Sequence, residues 1–530
     1  MNYTRRGLNG MVSAPHHLAA EAGADVLRNG GNAVEAMVSA AAAIAVVYPH
    51  MNSIGGDGFW LISEPGKPVR AIEACGPAAS LATPEFYKDN GLSTIPDRGP
   101  KAALTVAGTI SGWEKALELA KHYGGKVPLE ALLAPAIQNA RIGIAVTQGQ
   151  EQITEEKLQG LKDVPGFSEN YLNSDSTVPK EGDVFKQPNL ANSLEQLSKR
   201  GLNDFYRGDL ARSLAADLEK QGSPLRLSDL EAFNAKEVAP LVGGFGCGKI
   251  FNMPPPTQGI SSLMILGLFE KLGVKDAETF DHIHGLVEAT KQAFILRNRY
   301  VCDPAYMTED PNSWLSQSYL SSLRNKIDRS SALPWPHVPK PGDTIWMGCA
   351  DSEGRVVSFI QSIYWEYGSG VVTDGTGIVW QNRGTSFSLD PNNPNSLSPG
   401  KRPFHTLNPA LAHLKDGRVL AYGTMGGEGQ PQTQAAIFTR HVLFGQQLQE
   451  AVTAPRWLLG RTWGEETTSL KLESRFDPAL INQLQEAGHD VEVLEPFTSV
   501  MGHAGAVSVN PTGVIQGASD PRSDGSAVAL

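Results

Sequence analysis

The segment RSSALPWPHVPKPGD, residues 329–343, places four prolines within eight positions and then runs directly into TIWMGCA, DSEG and RVVSFIQSIY. Proline fixes φ and has no N–H to donate, so this segment suits neither a helix interior nor a central strand. The residues after it are strand-forming and break at a four-residue polar turn, which predicts a β-hairpin opening at Thr344. An extended loop therefore has to deliver Thr344 to the first position of a strand. Before the loop the chain reads mostly helical. HHLAAEAGADVLRNGG has helical apolar spacing and stops at Gly30 and Gly31, and GNAVEAMVSAAAAIAVV is apolar all round, as a helix packed on two sides should be. Further helices are expected in EALLAPAIQNARIG, in HGLVEATKQAFILRNRYV and after the polyproline turn of FNMPPPTQGISSLMILGLF. NSIGGDGFWLIS reads as a glycine turn feeding a short strand. After the loop, GIVWQNR, LAHLKDGRVLAYGT and AGAVSVNPTGVIQGASD read as strands and hairpins, with helices in TQAAIFTRHVLF and PALINQLQEAG. Because both element types occur on both sides of the loop, one interwoven α/β body is expected.

Composition narrows the partners. A formal charge of −11 argues against nucleic acid or an anionic membrane as the main partner, while leaving room for a local basic pocket. The four cysteines, Cys75, Cys247, Cys302 and Cys349, are widely spaced and form neither a CxxC nor a zinc-ligand cluster. They read as reduced core thiols, Cys349 included, although it lies near Thr344. No apolar segment follows the N-terminal arginine pair as in a secretory signal, and the run AMVSAAAAIAVVYP is too short to span a bilayer, so a cytoplasmic protein is expected.

A threonine at the head of a strand has a specific use. If the peptide bond between Asp343 and Thr344 were cut, the freed α-amine of Thr344, with a pKa of about 7.7–8.0, would stand beside its own hydroxyl as a general base. GTMGGEGQPQ offers the backbone N–H groups of Gly426 and Gly427 as an oxyanion site, where the missing side chains allow close approach. There is no GxSxG elbow and no HExxH motif, so serine-hydrolase and zinc-peptidase chemistry lack a signature.

LAAEAGADVLRNGGNAVEA, NSIGGDGFW, NMPPPTQG, the hairpin after Thr344, MGGEGQPQ and GASDPRSDGSA follow one another, from about Met11 to Ala529, in the order and spacing of the γ-glutamyltranspeptidases, and the chain resembles that family. The resemblance implies a self-cleaving N-terminal-nucleophile (Ntn) hydrolase with an αββα fold: two stacked antiparallel sheets flanked by helices. It implies a large chain 1–343, a small chain 344–530, and their heterodimer, with a pair of heterodimers as a larger assembly. Thr344 matches the nucleophile, Gly426 and Gly427 the oxyanion pair, and Ser362 a second threonine that hydrogen-bonds the nucleophile's amine. No metal or organic cofactor is implied, and no nucleic acid or membrane partner.

Glutamate recognition does not carry over. The family's arginine for the α-carboxylate falls at or beside Cys75, and its aspartate for the α-amino group falls at Ser386. An asparagine becomes Tyr364, a Ser-Ser pair becomes His405–Thr406, and Thr-His after the nucleophile becomes Ile345–Trp346. Large side chains at Trp346, Tyr364 and His405 predict a smaller pocket. These departures resemble the amidohydrolase and acylase members, which implies a self-processing amidohydrolase for a small anionic amide. Arg383, three residues before Ser386, is the expected holder of the substrate carboxylate, with Arg98 and Arg402 as alternatives and Tyr364, Ser386, His405 and Thr406 lining the pocket. A γ-glutamyl hydrolase or transferase, a cephalosporin-type acylase and a protein that keeps the fold only for binding stay open.

Overall fold

The structure, a computed structural model, describes residues 3–336, 342–460 and 467–530. The hairpin at the end of the proline-rich loop is present: strand Asp343–Asp351 pairs antiparallel with Val356–Tyr364. That pair sits inside a seven-stranded sheet, with Gly10–Ala14 and Ser526–Ala529 on one side and Asp57–Ser63, Arg70–Ala74 and Lys236–Val238 on the other. A second seven-stranded antiparallel sheet runs Arg5–Gly7, Ile515–Ser519, Ala504–Val509, Val419–Thr424, Ala410–Leu414, Gly248–Asn252 and Leu241–Phe245. Both sheets mix segments from before and after Thr344.

The side-chain alternation of a strand sorts the core into three layers. Ile345, Met347 and Cys349 point outward, into a core built largely by helices His17–Arg28 and Ala33–Val47. Trp346 and Ala350 point the other way, meeting Phe59, Leu61, Ile360, Phe251, Leu411 and Val507 between the sheets. Helices Gly259–Leu272 and Phe280–Tyr300 cover the far face of the second sheet through Ala410, Ala412, Leu420 and Tyr422. The result is the expected αββα sandwich. Ala33–Val47 is buried along all its length, and its start is fixed by a capping box between Asn32 and Glu35.

Two expectations need correction. Trp346 does not narrow a pocket, because its indole fills the space between the sheets. A Cβ on Gly423, Gly505 or Gly348 would stand 2.2, 2.6 or 2.6 Å from it, and its Nε1 donates to Ser358 Oγ at 3.0 Å. GIVWQNR forms no strand but only isolated bridges, Val372 with Val379 and Gly55 with Trp380. Its side chains are turned to other partners: Trp380 Nε1 donates to the Thr105 carbonyl, Gln381 to Asp57 and the Val106 carbonyl, and Asn382 to the Asp97 carbonyl. The proline-rich loop is exposed or half-exposed from Ser331 to Pro336, and the rest of the expected cleavage loop, 337–341, lies outside the described residues. Its first limb is pinned by Ala332 N–H to the Ala487 carbonyl, Leu333 N–H to Glu288 and Lys291 Nζ to the Leu333 carbonyl. No described helix is long and apolar enough to cross a membrane.

Candidate active site

Thr344 occupies the second position of strand Asp343–Asp351, on the face that looks toward the second sheet. The ladder skips a residue beside it: Ile345 faces Gln361, whereas Asp343 faces Tyr364. This bulge in the neighbouring strand places Tyr364 at φ 83°, and the Tyr364 N–H closes a local turn onto Ser362 Oγ at 2.7 Å. Ser362 and Tyr364 are thereby brought beside the head of the Thr344 strand. Thr344 is fully buried in the continuous chain, and its Oγ1 accepts from Gln430 Nε2 at 3.4 Å. Gln430 is oriented in turn by the Asn408 N–H on its Oε1.

Gly426 and Gly427 form a turn between strand Val419–Thr424 and helix Gln430–Phe438, both at positive φ, 114° and 49°. L-side chains rarely adopt such a backbone, which is why two glycines stand here. A Cβ on Gly427 would lie 2.7 Å from the Gly342 carbonyl oxygen. The backbone just before the Asp343–Thr344 bond therefore rests directly on Gly427. Among the described hydrogen bonds none uses the Gly426 or Gly427 N–H.

Arg383 opens a short 3-10 turn, Arg383–Ser386, and is completely buried. Its guanidinium stacks 3.7 Å from the Tyr364 ring centroid, and Nη1 donates to Thr406 Oγ1 at 3.3 Å. Its Nε and Nη2 have no hydrogen-bond partner among the described residues. Burial pulls the guanidinium down to about 10, so it is still a cation at neutral pH. A buried cation with two unused donors is costly unless an anion completes it. The two alternatives are already engaged. Arg98 donates to the Glu366 and Gly368 carbonyls, and Arg402 pairs with Glu73 and Asp303. Ser386 is fully enclosed near the same phenol. Burial pushes the Tyr364 phenol up, opposed by Arg383 and by the nearby Ser386.

His405 and Asp57 supply a feature that sequence reasoning missed. Asp57 opens strand Asp57–Ser63, opposite Ser362 in the ladder, and its Oδ2 lies 2.9 Å from His405 Nε2. Its Oδ1 accepts from the Gly76 and Gly108 N–H groups and from Gln381. The signal lay in NSIGGDGFW, an acid between glycines at the head of an otherwise apolar strand. Burial raises Asp57 to about 7, against the opposing pull of Arg383, while burial and Arg383 hold His405 well below 6.5 and therefore neutral. Above about pH 7 the ionised Asp57 competes for the field of Arg383. The KM for an anionic amide should then rise about 3- to 10-fold between pH 6 and 8. In Asp57→Asn that rise should vanish, and initial-rate kinetics on both proteins across this range checks it.

Neither Cys349 nor Cys75 has an activated thiol. Cys349 points into the outer helical core, and burial pushes its thiol and that of Cys75 well up. His284, Glu288 and His489 are the one group among the described residues with ligand atoms close enough for a metal. They are already bonded, His284 Nδ1 to His489 Nε2 at 2.9 Å and Glu288 to the Lys291 ammonium at 2.7 Å, an arrangement that suits a cation poorly.

The stacked sheets between helical layers, with a threonine leading a central strand onto a left-handed glycine pair, define an Ntn hydrolase. Residues 19–530 match the gamma-glutamyltranspeptidase family model, and the chain belongs to that family of enzymes. It is 53% identical over 99% of both chains to an oxamate amidohydrolase proenzyme of Klebsiella pneumoniae. It is 39% identical over the full length of both chains to a glutathione hydrolase-like proenzyme of Bacillus subtilis. The cephalosporin acylase of Bacillus halodurans superposes with a TM-score of 0.91 at 33% identity, covering 100% of this chain and 97% of that one.

Proposed function

We propose that this protein is a self-processing amidohydrolase for a small anionic amide, with oxamate the favoured substrate. The observation that carries the reading is Arg383, a buried cation with two donors unpartnered among the described residues, in contact with Tyr364 and Thr406. It suits a carboxylate one bond from the scissile amide, and the relative from Klebsiella bears an oxamate-hydrolysing name.

Processing begins with attack of Thr344 Oγ1 on the Asp343 carbonyl carbon, transferring the acyl group from nitrogen to oxygen. Water hydrolyses the resulting ester, leaving chains 1–343 and 344–530 associated as a heterodimer, with a pair of heterodimers as the larger assembly. The freed amine, at about 7.7–8.0 and hydrogen-bonded by Ser362, then takes the hydroxyl proton as Oγ1 attacks the amide carbon of the substrate. The Gly426 and Gly427 N–H groups hold the oxyanion, the amine returns the proton to the leaving nitrogen, and ammonia departs. Water attacks the oxalyl ester, releasing oxalate and restoring Thr344. Arg383 holds the carboxylate throughout, with Ser386 and His405 closing the pocket.

A second reading, a γ-glutamyl hydrolase or transferase for glutathione-type donors or a cephalosporin-type acylase, is favoured by the names of the Bacillus relatives. Against it, the resemblance puts the zwitterion-binding arginine at or beside Cys75 and the aspartate at Ser386, and neither residue can take that role. Ammonia release from oxamate, measured beside glutamate release from a γ-glutamyl anilide and hydrolysis of a glutaryl amide, separates the readings. Turnover of oxamate alone is expected, and turnover of either larger donor without oxamate would replace the proposal.

A further inference from the structure

The glycine turn has little conformational preference of its own, since glycine loses more backbone freedom on folding than any other residue. Something must hold its N–H groups in place. Gln258, fully buried in the PPPTQG motif ahead of helix Gly259–Leu272, donates from Nε2 to the Gly427 carbonyl at 2.8 Å and to the Thr406 carbonyl at 2.8 Å. Its Oε1 accepts from Arg297 Nη1 at 2.8 Å. A guanidinium only donates, so Arg297 forces the oxygen end of the amide toward itself and leaves both amide hydrogens for the two carbonyls. Arg297 also reaches the turn directly, with Nη2 2.7 Å from Glu428 Oε2, and is seated 3.7 Å over the Phe294 ring. One buried arginine thus fixes the turn at two successive residues, once through Gln258 and once through Glu428. Gln258 ties the same turn to Thr406, whose hydroxyl contacts Arg383.

We infer that Gln258 and Arg297 are positioning residues that set the oxyanion glycines at a fixed distance from the carboxylate-holding wall. This rests on the proposed roles of Thr344, Gly426 and Gly427. Because Gly342 already lies on Gly427 in the continuous chain, the same strut serves self-cleavage and turnover.

The test uses Gln258→Glu, which keeps an acceptor for Arg297 and removes both donors, and Arg297→Lys, which reaches either Gln258 or Glu428 but not both. Full-length proteins are assayed for extent of self-cleavage, for kcat and KM on oxamate, and for thermal midpoint. Expected for Gln258→Glu is a fall of about 10²-fold in kcat with KM within about 3-fold, and self-cleavage slowed in parallel. Arg297→Lys should show a smaller fall of the same pattern, and it decides the question if Gln258→Glu does not fold. A folded variant with unchanged kcat, or one in which only KM rises, overturns the inference. Thr344→Ala run beside them separates the failures: if it is dead while Gln258→Glu is fully active, only the strut is wrong. If Thr344→Ala itself turns over oxamate, the underlying mechanism is wrong.

Discussion

Thr344→Ala is expected to purify as one 56.8 kDa chain with no detectable oxamate hydrolysis. The wild type should run as two pieces of roughly 37 and 20 kDa, in proportion to the 343 residues before the cut and the 187 after it. Alanine removes the one atom, Oγ1, that acts in both reactions, first on the Asp343 carbonyl and then on substrate. The variant should nevertheless fold. The lost hydroxyl accepts a long hydrogen bond from Gln430, 3.4 Å, and the strand around it is held by two neighbours. Thr344→Ser keeps the oxygen and should cleave and turn over more slowly. A denaturing gel and an ammonia assay read both outcomes.

The second large effect is expected at Arg383. Arg383→Met should lower kcat/KM on oxamate by about 10²-fold or more, since two charge-assisted hydrogen bonds at about 1.5–3 kcal/mol each are removed from a buried site. The loss should fall mainly on KM, because the carboxylate is held in the ground state as well as the transition state. Arg383→Lys keeps the charge without the planar fork and should lose about 10-fold. The variant has a second signature. Arg383 opposes the upward shift of Asp57, so its removal should push that carboxyl further above about 7. The pH dependence of KM should therefore flatten below pH 8, whereas Arg383→Met with unaltered KM would remove the arginine from the site.

Much of this is legible in the sequence. Four prolines ending at a strand-leading threonine announce the seam, and the unbroken apolar run Ile345, Trp346 and Met347 suits a strand buried on both faces. Motif order then points to Thr344, Ser362 and the glycine pair. What stays hidden is whatever depends on distant chain segments. Trp346 has the size of a pocket wall, yet three glycines from three other strand positions make room for it between the sheets. GIVWQNR has the composition of a strand, but its successive backbone N–H groups go to three different segments, Trp380 to Val371, Gln381 to Gly55 and Asn382 to Ile363, so no ladder forms. Asp57, Gln258, Arg297 and Gln430 all stand as letters inside the motifs and predicted helices. Their partners lie far along the chain, His405 at 348 positions from Asp57 and Glu428 at 131 from Arg297, so spacing alone could not join them. Arg383 is legible as a candidate, whereas its two donors without a partner among the described residues are a property of the folded chain alone.

The proposed mechanism turns on Thr344 becoming a chain terminus that then serves as the nucleophile. Intact mass and N-terminal sequencing of the smaller chain, taken from active wild-type protein, address this without an intermediate assumption. A single new terminus reading Thr-Ile-Trp-Met is expected, appearing in step with ammonia release from oxamate as processing proceeds. A terminus at any other residue, or full activity from an uncut chain, would refute it.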